Sequence, residues 1–262
     1  MRYSIDTIKS KYRSFAGARV CFKITLALRM RIKITEVKVV KNFHDPQVVA
    51  SYDQHIVKLI PGYTLIHAQI AAILQHYLPE NARVLIIGCG AGYELCYLTQ
   101  QHPTWSFTAL DLSKTMLEAA QQRLSKNNQI EWIQGDIREL SSRQPYDAVL
   151  SILVTHFIAT SEKLDFFQSI AQHLTATGVF INVDITQPEH IDDLAILQSV
   201  CQYTGLTAAQ SQIMCQRLQQ DFYLVNPQQN IAWLQQAGFA QVKSFWQMLQ
   251  YQGLMAFPNQ IG

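Results

Sequence analysis

Residues 84–92, with the sequence VLIIGCGAG, decide how this chain folds. The aliphatic run is typical of a buried strand, and it leads directly into a turn that contains three glycines. Glycine permits the positive φ angles of a tight turn and a close approach of a ligand to the main chain. A helix that starts there would present free N–H groups to the same ligand. The stretch therefore predicts a strand, a ligand-binding turn and a helix, in that order.

The spacing of the glycines separates two kinds of nucleotide site. Gly88, Gly90 and Gly92 follow the pattern G-x-G-x-G, whereas a dinucleotide fingerprint has the pattern G-x-G-x-x-G. Tyr93 occupies the position of the last dinucleotide glycine. The spacing therefore disfavours a dehydrogenase. For the loop alone, a tight strand-to-helix turn without a ligand remains the alternative.

Strand and helix patterns alternate beyond this turn. The predicted strands are 83–87, 106–110, 129–133, 146–150, 179–183, 241–247 and 253–257, and the predicted helices are 45–59, 63–77, 93–101, 113–125 and 162–174. Strands that alternate with helices indicate a mostly parallel sheet covered on both faces. The sequence therefore predicts an α/β fold with a seven-stranded sheet and helices on both of its faces.

Charge divides the chain into two parts. Residues 1–41 form a basic extension with eleven Lys or Arg and two acidic residues, whereas residues 42–262 have ten basic and seventeen acidic residues. Strict alternation of apolar residues from 24 to 34 predicts a strand in the extension, which suits a basic arm, an added strand or translated upstream sequence. Within 42–262, a helical cap is predicted at 42–78 and a helical insertion at 186–230.

Composition limits the classes of partner. The acidic character of residues 42–262 predicts a small-molecule substrate and no nucleic acid, because nucleic acid binding requires cationic groups. No apolar run is long enough to span a bilayer, and no signal peptide is expected. The five cysteines lack CxxC spacing and neighbouring histidines, which predicts free thiols, no metal site and a cytoplasmic protein. The oligomeric state is left open, with a homodimer among the alternatives.

Two acidic residues follow the next two predicted strands. Asp111 ends the second strand, nineteen residues after Gly92, where a carboxylate can accept both hydroxyls of a ribose. Asp136 follows the third strand, where it can receive the amino group of an adenine while Ile137 packs on the ring. A helix cap, for which Ser113 is the other candidate, and a turn aspartate are the respective alternatives. Since ligands of parallel sheets bind at the carboxyl ends of strands, the three features together predict a nucleotide site.

With these motifs, residues 43–183 resemble the class I S-adenosylmethionine-dependent methyltransferases, which have a Rossmann-like fold. The resemblance implies S-adenosyl-L-methionine as cofactor and methyl transfer to a small-molecule acceptor by in-line displacement. The cofactor-binding residues that it implies are Gly88, Cys89, Gly90, Gly92, Asp111, Leu112, Met116, Asp136, Ile137, Ile152 and Leu153.

One position departs from the family pattern. The family usually has an acidic residue two places before the first glycine, and this position is Ile86 here. A non-catalytic protein that binds S-adenosylmethionine is therefore an alternative. Replacement of Ile86 by aspartate would strengthen binding if the missing acid were the defect.

The candidate catalytic residues come from two regions. His156, at the end of the fourth predicted strand, is the first candidate for contact with the acceptor, and a base is needed there only if the acceptor loses a proton early. Tyr63 in the cap is the second candidate, followed by His55 and His67. Each of these residues also has a purely structural interpretation.

A further resemblance concerns the cap. Tyr52-Asp53 and the stretch Ile-Pro-Gly-Tyr at 60–63 resemble a subgroup that includes carboxy-S-adenosylmethionine synthase. In that subgroup a late arginine holds the additional carboxylate of the cofactor. Arg217 is the candidate for this role, and a solvated helix arginine is the alternative. The resemblance implies a carboxylated-cofactor synthase as a second alternative function.

Overall fold

The computed structural model describes residues 45, 47, 52–127, 129–141 and 144–259, with 52–54 as main chain only. The predicted basic extension 1–41, its strand at 24–34 and most of the first part of the cap lie outside the described residues. The division of the chain into an extension and a domain therefore stays a prediction.

Seven strands and eight α-helices form the described part of the chain. The strands are β1 (Arg83–Ile87), β2 (Ser106–Asp111), β3 (Ile130–Gln134), β4 (Tyr146–Ile152), β5 (Leu174–Ile185), β6 (Gln241–Met248) and β7 (Tyr251–Phe257). The helices are α1 (Tyr52–Leu59), α2 (Tyr63–Tyr77), α3 (Tyr93–Gln101), α4 (Lys114–Arg123), α5 (Lys163–His173), α6 (Asp193–Tyr203), α7 (Ala208–Gln220) and α8 (Pro227–Gln236).

The strands form one sheet in the order β3-β2-β1-β4-β5-β7-β6. Strands β1 to β5 are parallel, and β7 is antiparallel to both β5 and β6. Strands β2 and β3 are added on one side of β1, and β4 and β5 on its other side, so the strand order reverses between β1 and β4. The carboxyl ends of β1, β2, β3, β4 and β5 share one edge of the sheet. The predicted α/β class and mostly parallel seven-stranded sheet are confirmed.

Helices cover both faces of the central strands, and because side chains alternate along each strand, one strand contributes to two cores. Val84 and Ile86 of β1 belong to one hydrophobic core, with residues of α2, α3, α6 and α7, whereas Leu85 and Ile87 belong to a second core with residues of α5 and α8. The second core contains a run of phenylalanines from α5, β5 and the loop before β6, which are Phe166, Phe167, Phe180 and Phe239.

The boundaries of several elements differ from those predicted. Strand β5 starts at Leu174 rather than at 179, and β4 continues to Ile152. The insertion at 186–230 contains α6 and α7, and its last residues already form the first turn of α8. Ser113 caps α4, since its hydroxyl accepts a hydrogen bond from the Met116 N–H at 3.2 Å.

The described residues contain neither a membrane-spanning helix nor a cluster of metal-binding side chains. No described helix is both long and apolar enough to cross a membrane. Among the same residues, no group of three or more His, Cys, Asp or Glu side chains is arranged to hold a metal ion. Cys89, Cys96, Cys201 and Cys215 are free thiols.

Candidate functional site

The glycine turn lies at the carboxyl end of β1 and has the strained backbone that glycine permits. Gly88, Gly90 and Gly92 have φ angles of 66°, 52° and 81°. A Cβ atom added to Gly88 would lie 2.4 Å from a methyl carbon of Val154, whereas one added to Gly90 would meet no atom within 4 Å. Gly88 therefore packs against the turn after β4, and Gly90 borders open space in which a ligand can approach the main chain.

Asp111 connects the glycine turn to the end of β2. Its carboxylate accepts hydrogen bonds from the Gly90 N–H at 2.9 Å and from the Ser113 N–H at 2.8 Å. The group is half-buried at the sheet edge where the predicted ribose acid should lie. A carboxylate at this position has the chemistry to accept hydrogen bonds from ribose hydroxyl groups.

The region after β3 agrees with the prediction only in part. The Asp136 carboxylate binds the Arg138 guanidinium at 2.7 and 2.9 Å, and this hydrogen bonding holds the pKa of Asp136 below its usual range. Ile137 is fully buried in the second core. The prediction that the Ile137 side chain packs on an adenine ring is therefore corrected, because the short helical turn that Asp136 caps directs this side chain into the interior.

The other predicted cofactor residues divide into exposed and buried ones. Leu112, next to Asp111, is 66% exposed and is the apolar side chain at this edge that a flat ring can cover. Met116 packs beneath the glycine turn against Ala91, and Cys89 and Ile152 belong to the first core. Packing against the sheet or the turn already buries these three side chains, so we do not expect them to contact a ligand.

Leu153 lies between the glycine turn, at the carboxyl edge of the sheet, and a cavity. Its φ angle of 60° is rare for a residue with a side chain, and strain of this kind is concentrated at functional sites. The turn is held by the Leu153 N–H, which donates to the Val183 carbonyl at 2.7 Å. The next residue, Val154, contacts Gly88, and Leu153 itself lines the cavity. The two sites therefore adjoin at this turn.

The cavity has a volume of about 220 Å³ and lies between the cap, the insertion and the ends of β4 and β5. Its apolar lining is Ile56, Leu59, Ile60, Leu153, Phe157, Ile185, Ile213, Met214, Leu218 and Phe222, and its polar lining is His55, His156, Gln210, Arg217 and Tyr251. An apolar enclosure with a few convergent polar groups is the usual form of a small-molecule site. Of the predicted candidates, His156, His55 and Arg217 line this cavity.

His156 is held by a buried network of polar groups. Its Nδ1 lies 2.5 Å from Asp184 Oδ1, and its main-chain N–H donates to Asp184 Oδ2 at 3.0 Å. The Thr155 hydroxyl also hydrogen-bonds Asp184. Burial alone would raise the pKa of Asp184, but the charge and hydrogen bond of His156, with Thr155 and Lys163, bring that pKa below its usual value. Asp184 is therefore an ionised acceptor for the ring.

Lys163 completes the network from the first turn of α5. Its ammonium group donates to the Thr155 carbonyl at 2.5 Å, and the residue is only 1% exposed. Burial lowers the pKa of Lys163 to about 8, against the attraction of Asp184, which raises it. The buried Lys163 ammonium group and the buried Asp184 carboxylate thus both hydrogen-bond the turn of residues 155–157.

Tyr63 lies beside the glycine turn and not in the cavity lining. Its ring packs edge-on against His67, with centroids 4.6 Å apart, and both rings contact Tyr93, which follows Gly92. Tyr63 and His67 are almost fully buried. The structure therefore supports a packing contact of Tyr63 with the turn, and it does not bring Tyr63 together with His156 around the cavity.

His67 gives the fold an expected sensitivity to acid. Burial lowers its pKa from 6.5 to about 4, so the folded state keeps the ring neutral while the unfolded chain binds a proton. This contribution to stability is therefore present above pH 6.5 and is lost as the pH falls toward 4, by about 2.5 kcal/mol at pH 4.5. Urea unfolding at pH 7 and 4.5 should show a smaller pH effect in His67→Phe. The exposed His190→Phe should behave like the wild type, and equal pH effects in all three proteins would contradict this assignment.

Ile86, the departure from the family pattern, is buried in the first core between Ala109 and Leu150 on the neighbouring strands. Aspartate at this position would bury a charge among apolar groups. We expect Ile86→Asp to lower the free energy of unfolding by about 3 kcal/mol or more, and Ile86→Val by about 1 kcal/mol. Thermal unfolding with and without S-adenosylmethionine checks both values. A gain in cofactor affinity without loss of stability would instead support the hypothesis that an acid is missing.

Three residues of the site were not singled out from the sequence. They are Asp184, Lys163 and Phe222, whose ring lies 4.7 Å from that of His156. A signal for Asp184 was present, because an acidic residue stands inside the apolar run 179–185. The predicted strand ended at residue 183, which placed Asp184 in a loop.

The fold and the site together define a class. The structure combines a sheet of this strand order, a glycine turn with open space at Gly90, an acid at the end of β2 and an adjoining cavity. These features are typical of a Rossmann-like protein that binds a nucleoside cofactor next to a small molecule.

Comparison with known proteins agrees with this class. A family model described as a methyltransferase domain matches residues 84–178. Carboxy-S-adenosyl-L-methionine synthase of Chromohalobacter salexigens is 24% identical over 230 residues, which are 84% of this chain and 85% of the relative. Malonyl-[acyl-carrier protein] O-methyltransferase of Priestia megaterium is 33% identical over 88 residues, 34% and 32% of the two chains. The solved structure of DhpI with SAH has the same fold, with a TM-score of 0.55, 17% identity, and coverage of 81% of this chain and 92% of that one.

These similarities support a class I S-adenosylmethionine-dependent methyltransferase with S-adenosyl-L-methionine as its cofactor, and the methyltransferase domain itself is matched at residues 84–178. When bound, the cofactor supplies an electrophilic methyl group on a sulfonium sulfur.

Proposed function

We propose that the chain methylates a small, largely apolar acceptor that binds in the cavity beside the cofactor. The observation that carries the proposal is the turn after β4, because Val154 contacts the glycine turn while Leu153 and His156 line the cavity. An acceptor in the cavity therefore lies next to the cofactor edge of the sheet. Alignment of the two reactants supplies much of the acceleration of such a displacement.

Each part of the site has a separate task in this proposal. Gly90 and Asp111 bind the cofactor through the main chain and the ribose, and Leu112 covers its base. Asp136 receives the adenine amino group only if it shares its carboxylate with Arg138. His156 contacts the acceptor, and the apolar lining of the cavity excludes water. The free thiols support a reducing compartment, such as the cytoplasm, for this activity.

The experiment follows the methyl group. The protein is incubated with methyl-labelled S-adenosylmethionine and a cell extract, and the mixture is passed through an ultrafiltration membrane that retains macromolecules. The proposal predicts label in the small-molecule filtrate, together with formation of S-adenosylhomocysteine. Label retained with protein or nucleic acid, or no transfer at all, would contradict it. An exposed-surface variant, Asp165→Ala, is the matched control and should transfer label like the wild type.

A second candidate function is synthesis of a carboxylated cofactor. The observation that favours it is Arg217, which lines the cavity with its guanidinium 5.9 Å from the Phe222 ring and its Nε bonded to Asp221 at 2.8 Å. The remaining N–H groups of Arg217 suit a carboxylate. Mass spectrometry of the nucleotide released from purified protein distinguishes the candidates. The carboxylated species, lost in Arg217→Ala, would favour the second, and S-adenosylmethionine or S-adenosylhomocysteine alone would favour the first.

A further inference from the structure

We propose that His156 and Asp184 form a base that removes a proton from the acceptor, and that the acceptor is an apolar molecule with a phenol-type or enol-type hydroxyl. This inference rests on the proposed function and goes beyond it, because it assigns the chemical class of the acceptor and gives Asp184 a positioning role.

The contacts of His156 with Asp184 fix the tautomer of its ring. Nδ1 lies 2.5 Å from Asp184 Oδ1, and Asp184 is an ionised acceptor held by two further N–H donors, those of His156 and Ile185. When the ring carries a single proton, that proton is therefore on Nδ1 and the lone pair is on Nε2. Within the described residues Nε2 makes no hydrogen bond, and His156 lines the cavity, so this lone pair is open to a bound molecule.

Two aromatic side chains fix the position of the His156 ring. Phe157 and Phe222 pack against it, with ring centroids 4.0 and 4.7 Å away. The charged and titratable groups that face it from the neighbouring elements are Asp184 of β5, Lys163 of α5, Arg217 of α7 with its partner Asp221, His55 of α1, Tyr251 of β7, and Tyr223, whose N–H donates to the His156 carbonyl. Asp184 is the only described carboxylate in contact with the ring, and its charge stabilises the imidazolium that forms.

A base at this position favours one class of acceptor. Carboxylates are already ionised at neutral pH, and thiols ionise near pH 8.5 without help. An amine can lose its ammonium proton to water before it enters an apolar cavity, and it then attacks through its own lone pair. A phenol-type hydroxyl, with a pKa of about 10, has to lose its proton, and this is the group for which a positioned imidazole gives an advantage. The mostly apolar lining of the cavity also disfavours an acceptor that enters as an ion.

The reaction balances with the groups at hand. The acceptor oxygen gives its proton to Nε2 and uses the freed electron pair to form the bond to the methyl carbon. The carbon–sulfur bond of the cofactor breaks, and its electron pair stays on sulfur as S-adenosylhomocysteine. The imidazolium, stabilised by Asp184, later releases the proton to water.

The proton positions are tested by nitrogen NMR of His156 in the full-length protein with S-adenosylhomocysteine bound. Where the ring is singly protonated, we expect its proton on Nδ1, and loss of this preference in Asp184→Asn. A singly protonated ring with its proton on Nε2 would overturn the proposal. The wild-type spectrum decides the point even if the Asp184 variant does not fold.

The acceptor class is tested with deuteromethyl S-adenosylmethionine and an extract of the cells that produce the protein. We expect the labelled product to be a methyl ether, and His156→Gln to lower kcat by about 100-fold or more with unchanged cofactor affinity. The matched control is His173→Gln, whose ring bonds the Ser169 and Leu140 carbonyls and is not in the cavity lining, and which should leave kcat unchanged. Label on nitrogen, sulfur or a carboxylate would overturn this inference and leave the proposed function intact, whereas no labelled small molecule would contradict the proposed function itself.

Discussion

Gly88→Ala should lower the free energy of unfolding by about 3 kcal/mol and abolish measurable cofactor binding. A φ of 66° costs a residue with a Cβ about 1–2 kcal/mol, and overpacking adds about 1–3 kcal/mol. The overpacking arises because the new Cβ would lie 2.4 Å from Val154, on the turn that carries His156. The substitution should therefore disturb the glycine turn and the cavity wall together. Chemical denaturation and calorimetric titration measure the two effects.

Three comparison variants separate the causes. Gly90→Ala has the same kind of φ angle but open space around its Cβ, so its stability should fall by only about 1 kcal/mol. Gly135→Ala has neither a positive φ nor a close neighbour and should keep the wild-type stability. Adding Val154→Ala to Gly88→Ala should restore the part that is due to the clash. Equal stability of the Gly88 and Gly90 variants would contradict the assignment.

Asp111→Ala should weaken binding of S-adenosylmethionine about 100-fold. Hydrogen bonds from two ribose hydroxyls to a charged carboxylate contribute about 1.5 kcal/mol or more each, and 1.4 kcal/mol corresponds to a factor of ten. Part of the loss will come from the turn, because the same carboxylate accepts the Gly90 and Ser113 N–H groups. Calorimetric titration gives the affinity, and the melting temperature without ligand reports the structural part.

Asp111→Asn is the conservative partner of this variant. Its amide oxygen still accepts one main-chain N–H, so the fold should be nearly intact while the affinity remains reduced. Asp165→Ala, on the exposed side of α5, should bind the cofactor like the wild type. Wild-type affinity in both Asp111 variants would remove this residue from the cofactor site.

The sequence predicted those elements whose ends carry strong local signals. Strand β1 and helix α3 match the predicted residues because an apolar run, a glycine turn and a following helix delimit each other. The start of β5 was missed, since Thr175, Ala176 and Thr177 bring little apolar surface to the pattern. Its end was placed one residue before Asp184, and a buried carboxylate breaks the apolar run on which strand prediction depends.

The site was predictable only where it lies in one segment. Asp111 follows from its position after β2, and His156 from its position after β4. The burial of Met116 and Ile137 did not follow, because periodicity indicates a face of an element but not what covers it. The cavity joins Ile56 of α1 to Met214 of α7, which are far apart in the chain and share no local motif. The alternatives for Arg217 stayed open for the same reason.

The most direct test of the cofactor assignment is calorimetric titration of the wild-type protein, first with S-adenosylmethionine and then, on fresh protein, with S-adenosylhomocysteine. The site at Gly90 and Asp111 predicts saturable binding of one molecule per chain for both compounds. Absence of binding heat with both compounds, from protein shown to be folded, would contradict the account.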